Sequence, residues 1–265
     1  LMNHVAILDK KFYPQGIFVN YWVTGKGSKI SKSKGGSQPV PQAIEKYGID
    51  SMRLYYSHIG SPHSDVVWDE EVLINYKSAI ERIYTVSTEC LEITTNKKSA
   101  IDNWLISELN KIIKSATQSL DALDIRTASN LIYYKMYDNL RWYLRRHGED
   151  EKTVRFYLQT WAKMLSPVTP FIAEELWEKA GDNLLVSASS WPSFEPVKIK
   201  LEYDYQENLI QQIIDDIRAI KELVKLDKVE FVELIVADSW KYEFYQKLKE
   251  QTARTRVTAD ILKAI

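Results

Sequence analysis

The feature that most constrains the fold of this chain is a repeated pattern of apolar residues. From Glu70 onward, they recur at intervals of three and four positions. The clearest such stretch begins near Asp102 and continues for about five helical turns. Its apolar positions are Leu105, Leu109, Ile112, Ile113, Ala116, Leu120 and Leu123. This spacing places the apolar side chains on one face of a long helix, and that face must be buried against other helices.

The same spacing predicts three further helical stretches: residues 70–91, 128–146 and 151–180. The last of these is expected to bend or break where Pro167 and Pro170 remove amide donors. Long helices joined by short links form an antiparallel bundle. Beyond Pro196 the pattern changes to a helix over residues 205–226, a strand over 230–237 and a helix over 239–249, which predicts a small α/β extension.

The segment before the bundle has a different pattern. A β-type apolar run covers residues 16–24. The pattern over residues 39–47 predicts a short helix, with proline near its start and Gly48 just past its end. We expect Asp50 to cap a second short helix over residues 51–59. The predicted fold class is therefore mainly α, with short strands and helices first, then the bundle, then the extension.

Composition narrows the protein class. The chain has 265 residues, 45% apolar and 27% charged, with a formal net charge of −1, so any nucleic-acid binding must come from local basic patches. Its one cysteine, Cys90, excludes an internal disulfide framework. No apolar run has membrane-spanning length, and His63 and His147 have no metal-ligand partners at suitable spacing. The expectations are a cytoplasmic protein, no membrane contact and no protein-bound metal.

A basic loop lies between the apolar run and the first short helix. Thirteen residues, 24–36, contain four lysines, three serines and four glycines, and no acidic residue occurs from Lys10 to Ile44. Serine hydroxyls and exposed amides beside cations are suited to binding phosphate. The alternative is a solvated basic loop.

The sequence Lys29-Ile30-Ser31-Lys32-Ser33 resembles the Lys-Met-Ser-Lys-Ser signature of class I aminoacyl-tRNA synthetases. The resemblance implies that Lys29 and Lys32 are catalytic, and that Lys29, Ser31, Lys32 and Ser33 bind the phosphates of ATP, accompanied by Mg²⁺. It also implies that the first 69 residues are the end of a Rossmann-type catalytic domain. His58-Ile59-Gly60-Ser61 is similar to the other signature of the family, His-Ile-Gly-His, but it follows the lysine loop, so we interpret it as coincidence.

Three motifs in the bundle resemble leucyl-tRNA synthetases of archaeal and eukaryotic type. They are Leu123-Asp124-Ile125-Arg126-Thr127-Ala128, Arg141-Trp142-Tyr143-Leu144-Arg145-Arg146, and the segment from Leu165 to Trp177. The resemblance implies an anticodon-binding-type bundle over residues 70–196 and a partial C-terminal extension over 197–265. It implies a C-terminal fragment of an enzyme that activates leucine with ATP and transfers it to tRNA(Leu), with the leucine pocket largely outside this chain.

Arginines carry the expected tRNA contacts: Arg53, Arg141, Arg145 and Arg146. Arg141 and Arg145 are one helical turn apart and could contact successive phosphates. The alternatives are that Arg53 pairs with a carboxylate, and that the other arginines only complement a helix dipole. A non-catalytic tRNA-binding paralogue, or an isoleucyl or valyl enzyme, is the competing hypothesis for function. The fragment alone is expected not to activate leucine, because positioning of the substrates carries much of such catalysis.

Overall fold

The computed structural model describes residues 2–13, 16, 17, 19, 21–25, 28, 29, 40–60, 65–181 and 184–259. The fold is mainly α, as the periodicity predicts. Within the described residues, no helix has the length and apolar character needed to cross a membrane.

The first part of the chain combines short strands with helices. Its elements are α1 (Met2–Ile7), β1 (Val23–Gly25), β2 (Ser28–Lys29), α2 (Val40–Tyr47), α3 (Ile49–Ile59) and β3 (Val66–Val67). The strands form a sheet in the order β2-β1-β3, in which β2 is antiparallel and β3 is parallel to β1. Of the β-type run over residues 16–24, the described part forms a strand only from Val23, because that is where β2 and β3 supply backbone partners.

The helices of the bundle follow, together with two short strands. The elements are α4 (Glu70–Leu91), β4 (Asn96–Lys97), α5 (Ala100–Asp121), α6 (Ile125–Ser129), α7 (Met136–Arg145), β5 (Glu149–Asp150), α8 (Glu151–Leu165) and α9 (Pro170–Lys179). A π-helical segment, Asn130–Lys135, joins α6 to α7. Strands β4 and β5 pair antiparallel, Asn96 opposite Asp150. The predicted helices and the break at Pro167 and Pro170 are confirmed, whereas the β4–β5 pair was not predicted.

Aspartates fix where two of these helices begin. The Asp69 carboxylate accepts hydrogen bonds from the amides of Glu71 and Val72, at 2.9 and 3.2 Å, at the start of α4. The Asp150 carboxylate accepts from the amide of Thr153 at 3.0 Å at the start of α8. Each bond satisfies an amide that has no partner within its helix.

Large aromatic side chains fill the core of the bundle, and two of them, Tyr157 and Trp161, donate hydrogen bonds across it. The Tyr157 hydroxyl donates to the Met136 carbonyl at 2.8 Å, and the Trp161 indole N–H donates to the Ile132 carbonyl at 2.7 Å. Both donors lie on α8, and both acceptors lie in or next to the π-helical segment. Because a buried polar atom without a partner is costly, these bonds fix how α8 packs against the π-helical segment and the start of α7.

Within the described residues, the last two helices assigned are α10 (Leu201–Val224) and α11 (Ser239–Arg254). The chain divides into two compact units, residues 1–207 and residues 208–265, with the boundary inside α10. The helix predicted from Ser239 is confirmed. The strand predicted over residues 230–237 is not formed: within the described residues no segment pairs with this one, and its side chains are exposed. Alternating apolar residues favour an extended backbone, but a strand also needs a hydrogen-bonding neighbour.

Candidate functional site

The basic loop is connected to described structure at both ends. Lys29 is the last residue of β2, and its backbone lies opposite Thr24 of β1. Helix α2 begins at Val40. Ser31, Lys32 and Ser33 lie outside the described residues, so their predicted roles remain predictions, as does that of the Lys29 side chain.

Both flanks of this loop are attached to the N-terminus of α4. On one side, β1 and β3 are hydrogen-bonded, and the Trp68 amide donates to the Thr24 carbonyl at 2.7 Å. On the other side, the Tyr47 hydroxyl and the Lys46 ammonium of α2 donate to the Glu70 carboxylate, at 2.6 and 3.1 Å. The bond from Tyr47, then that from Lys46, lowers the pKa of Glu70. The first helix of the bundle is therefore the common support of the loop's two flanks.

Asp50 connects α3 to α9 rather than capping its own helix, so that expectation was wrong. Gly48, with a φ of 82°, is the N-cap of α3, and the helix begins before Asp50. The Asp50 carboxylate instead accepts from the amide of Ile172 at 2.8 Å, and more weakly from the amide of Phe171 at 3.5 Å. These amides are in the first turn of α9, where a negative charge is favourable. Burial raises the pKa of Asp50, although these two bonds and Arg53 act in the opposite direction.

Arg53 lies one turn further along α3 and contacts the same junction. Its Nε donates to the Val168 carbonyl at 2.6 Å, and its Nη2 donates to the Pro167 carbonyl at 3.1 Å. The carboxylate partner considered as an alternative is replaced by two carbonyls of the turn between α8 and α9. Its predicted tRNA contact stays a prediction, although part of the guanidinium is already used within the chain.

Arg141 and Arg145 lie exposed on α7, each beside an aromatic ring. The Arg141 guanidinium lies 5.9 Å from the centre of the Tyr137 ring, and its Nη1 is 3.4 Å from the Tyr137 hydroxyl oxygen. The Arg145 guanidinium lies 6.0 Å from the centre of the Trp142 ring. In the described part of the chain, neither arginine forms an ion pair with a carboxylate. We call Tyr137, Arg141, Trp142 and Arg145 the α7 face.

Arg146, the residue at the end of α7, is placed differently. Its Nε donates to Glu207 Oε2 of α10 at 2.9 Å, and the Trp142 indole N–H donates to the same oxygen at 2.9 Å. The Glu207 residue is only 8% exposed. The structure therefore brings Arg141 and Arg145 together on an accessible surface and pairs Arg146 with a carboxylate.

His58 has structural partners at the end of α3. Its Nδ1 lies 2.6 Å from the Tyr76 hydroxyl, and its Nε2 lies 3.0 Å from Asn130 Oδ1. Burial lowers the pKa of His58, and the nearby Arg126 lowers it further against an opposing bond to Asn130. Within the described residues, no group of three or more His, Cys, Asp or Glu side chains is placed to hold a metal ion.

Sequence reasoning missed the carboxylates that organise these regions, namely Glu70, Asp50 as a partner of α9, and Glu207. Asp50 and Ile172 are 122 positions apart, and Trp142 and Glu207 are 65 apart, so neither contact follows from local spacing. The one available signal was that each acidic residue lies in the first two turns of a helix.

Comparisons with known families place both regions among tRNA ligases. The family described as the anticodon-binding domain of tRNA ligase matches residues 102–236, about half of the chain. The family described as tRNA synthetases class I (M) matches residues 4–80. The two matches cover most of the bundle and the part that contains the basic loop.

Relatives with curated names are leucine–tRNA ligases. The chain is 34% identical to that of Pyrococcus abyssi and 33% identical to that of Pyrococcus furiosus, over 99% of this chain and 28% of each enzyme. It is 34% identical to that of Methanocaldococcus jannaschii, over 96% of this chain and 27% of the enzyme. The chain thus spans about a quarter of the length of these relatives.

A solved structure has the same fold over much of the chain. It is the ternary complex of the agnB2 LeuRS of Agrobacterium radiobacter K84 with tRNA and LeuAMS. The TM-score is 0.60 at 22% identity, with 68% of this chain and 24% of that chain covered. At this identity the likeness concerns the fold alone.

Proposed function

Because this chain belongs to the family of the anticodon-binding domain of tRNA ligases, we propose that it is part of a leucine–tRNA ligase. The observation that carries the proposal is the 34% identity to the Pyrococcus abyssi leucine–tRNA ligase over 99% of the chain. That identity extends over the basic loop as well as the bundle. The chain then contributes two parts to the enzyme, a phosphate-binding loop and a tRNA-contacting bundle.

In the proposed reaction, leucine and ATP form leucyl-adenylate and release pyrophosphate, and the leucyl group then passes to tRNA(Leu). Lys29 and Lys32 supply positive charge where negative charge develops on the leaving pyrophosphate, and Ser31 and Ser33 donate hydrogen bonds to the phosphates. Mg²⁺ accompanies the phosphates of the nucleotide. Because both flanks of the loop are attached to the N-terminus of α4, their relative position stays the same while the loop binds the phosphates.

The α7 face is the proposed tRNA contact of the bundle. Arg141 and Arg145 are exposed, one turn apart and not ion-paired within the described residues, which leaves both charges available to phosphates. Tyr137 and Trp142 lie beside them and restrict their orientations. Arg53 and Arg146 are weaker candidates, because each already has a partner within the chain.

The catalytic part is tested in a chimera in which this chain replaces the matching quarter of the Pyrococcus abyssi enzyme. We expect leucine-dependent exchange of pyrophosphate into ATP by the chimera and background exchange by the chain alone. Lys32→Ala should slow exchange by roughly a hundredfold with little change in leucine KM, because the contact forms with the departing group. Lys34→Ala is the matched control in the same loop. A folded chimera that binds tRNA without exchange would instead favour the non-catalytic paralogue.

The RNA contact is tested by titrating the chain with tRNA at several salt concentrations. We call the slope of the logarithm of the binding constant against the logarithm of the salt concentration the salt slope. Replacing Arg141 and Arg145 together by alanine should lower the affinity for tRNA and make the salt slope less steep by about two units, one for each lost phosphate contact. Replacing Lys97 and Lys98 by alanine removes the same charge from an exposed surface elsewhere and should leave the slope unchanged. An unchanged slope in the arginine variant would mean that the α7 face is structural. Exchanging the anticodon should not alter binding.

A further inference from the structure

Glu207 accepts two hydrogen bonds that organise the end of α7. Its Oε2 lies 2.9 Å from the Trp142 indole nitrogen and 2.9 Å from Arg146 Nε. The carboxylate side chain is 10% exposed and that of Arg146 is 34% exposed. A hydrogen-bonded pair of this kind is stronger than a pair on the open surface, because water screens it less.

This carboxylate affects Arg145 and Arg146 in different ways. It neutralises Arg146, so that charge is not free to attract phosphate. It also fixes the orientation of the Trp142 ring, which lies 6.0 Å from the Arg145 guanidinium. Of the three neighbouring arginines, two therefore remain exposed cations, and the third is held in an ion pair with Glu207.

The position of Glu207 is set by the chain itself. Asp204, one turn earlier on α10, pairs with Lys111 of α5, and Lys111 also contacts Glu108 at 2.8 Å. Just before α10, the Lys200 amide donates to the Ser107 hydroxyl of α5 at 3.0 Å. These contacts attach the first turns of α10 to the bundle and hold Glu207 beside α7.

We propose that Glu207 is a positioning residue of the α7 face, which withholds Arg146 from RNA phosphates and orients Trp142 beside Arg145. The inference rests on the proposed RNA contact and goes beyond it, since it states which arginines the face uses and why. Consequently, the number of phosphates engaged depends on a carboxylate that does not touch RNA.

The test combines Glu207→Gln with tRNA binding at several salt concentrations. Glutamine keeps an oxygen that can accept from Trp142, but it has no charge to hold Arg146. We expect Glu207→Gln to bind tRNA about fivefold more tightly, the scale of one additional exposed hydrogen bond, with a salt slope steeper by about one unit. Adding Arg146→Gln to this variant should restore the wild-type slope, and Arg146→Gln alone should leave the slope unchanged.

Two results would overturn the proposal. One is a slope that falls by one unit in Arg146→Gln alone, because Arg146 would then contact phosphate despite Glu207. The other is an unchanged slope in Glu207→Gln. If the glutamine variant fails to fold, Glu207→Ala, which also removes the charge, should give the same steeper slope, and an unchanged slope there would equally overturn the proposal.

A structural measurement separates this proposal from the proposed function. The indole N–H resonance of Trp142, assigned with Trp142→Phe, should shift in Glu207→Gln and in Arg146→Gln in the absence of RNA. If it does not shift, the contacts with Glu207 are not formed and the positioning role is wrong, whatever binds RNA. If it shifts while the Arg141 and Arg145 double variant keeps the wild-type salt slope, the RNA contact itself is wrong and the positioning proposal fails with it.

Discussion

The arginine of α3 and the arginines of α7 differ in what surrounds them rather than in their own chemistry. Arg53 donates to two carbonyls at the turn between α8 and α9, next to the carboxylate of Asp50. Arg141 and Arg145 extend over aromatic rings into solvent. A guanidinium that donates to two backbone carbonyls of the chain stabilises the fold, whereas one that lies on a ring keeps its charge available for a ligand.

Asp50 gives the largest expected effect on the α3 junction. Asp50→Ala leaves the amides of Ile172 and Phe171 without their acceptor in a buried place, which should reduce the free energy of unfolding by about 2 kcal/mol. Asp50→Asn keeps an acceptor oxygen, so it should reduce the free energy of unfolding by less than Asp50→Ala does. Urea unfolding gives the free energy of unfolding of the wild type and of both variants. If both variants cost less than about 0.5 kcal/mol, the carboxylate does not cap α9 in solution.

Arg53 provides the direct contrast with the α7 face. Arg53→Ala should reduce the free energy of unfolding by about 1 kcal/mol, because two carbonyls lose a charged donor. Arg53→Lys should recover only part of this, since an ammonium lacks the planar fork that reaches both carbonyls. The salt slope of tRNA binding should be unchanged in both variants. A salt slope reduced by about one unit in Arg53→Ala would show that Arg53 contacts tRNA, as expected from the sequence, and that it does not differ from the α7 arginines in this respect.

The same contrast shows what sequence reasoning can and cannot reach. The spacing of Leu105, Leu109 and Ile112 predicts α5 because helical periodicity is local, and the prolines after Ser166 predict the break between α8 and α9. The motif that contains Arg141 and Arg145 also identified the correct helix. Local patterns contain no information on which of these arginines meets Glu207, because that partner comes from α10. The expected strand over residues 230–237 failed for a related reason, since pairing depends on a neighbour that spacing does not specify.

Tyr137 tests whether the ring beside Arg141 contributes to binding. Tyr137→Leu keeps an apolar side chain but removes both the ring face and the hydroxyl near Arg141 Nη1. Exposed cation–π pairs contribute about 0.5–1 kcal/mol, so tRNA affinity should fall about two- to fivefold. The salt slope should not change, because the number of charges is the same. Tyr137→Phe, which keeps the ring, should lie close to wild type. If Tyr137→Phe loses as much affinity as Tyr137→Leu, the hydroxyl rather than the ring orients Arg141.

The smallest expected effect is a pH dependence confined to the α3 region. His58 lies between Tyr76 and Asn130, with Tyr134 and the charged Arg126 nearby, and its contacts fit a neutral ring that accepts at Nδ1 and donates at Nε2. Because the folded-state pKa is below the ordinary value of 6.5, the unfolded chain binds more protons at mildly acidic pH.

The stability that His58 contributes is therefore fully present above pH 6.5 and is lost as the pH falls through its lower folded-state pKa. The effect is small because the ring is only half-buried. The measurement is the difference in unfolding free energy between wild type and His58→Gln, whose amide can donate and accept but does not titrate, at a series of pH values. This difference should move in favour of His58→Gln on acidification. The α7 face contains no histidine, so the loss of tRNA affinity in the Arg141 and Arg145 double variant should not depend on pH over this range. A difference between wild type and His58→Gln that is independent of pH would show that the ring does not change its protonation on unfolding.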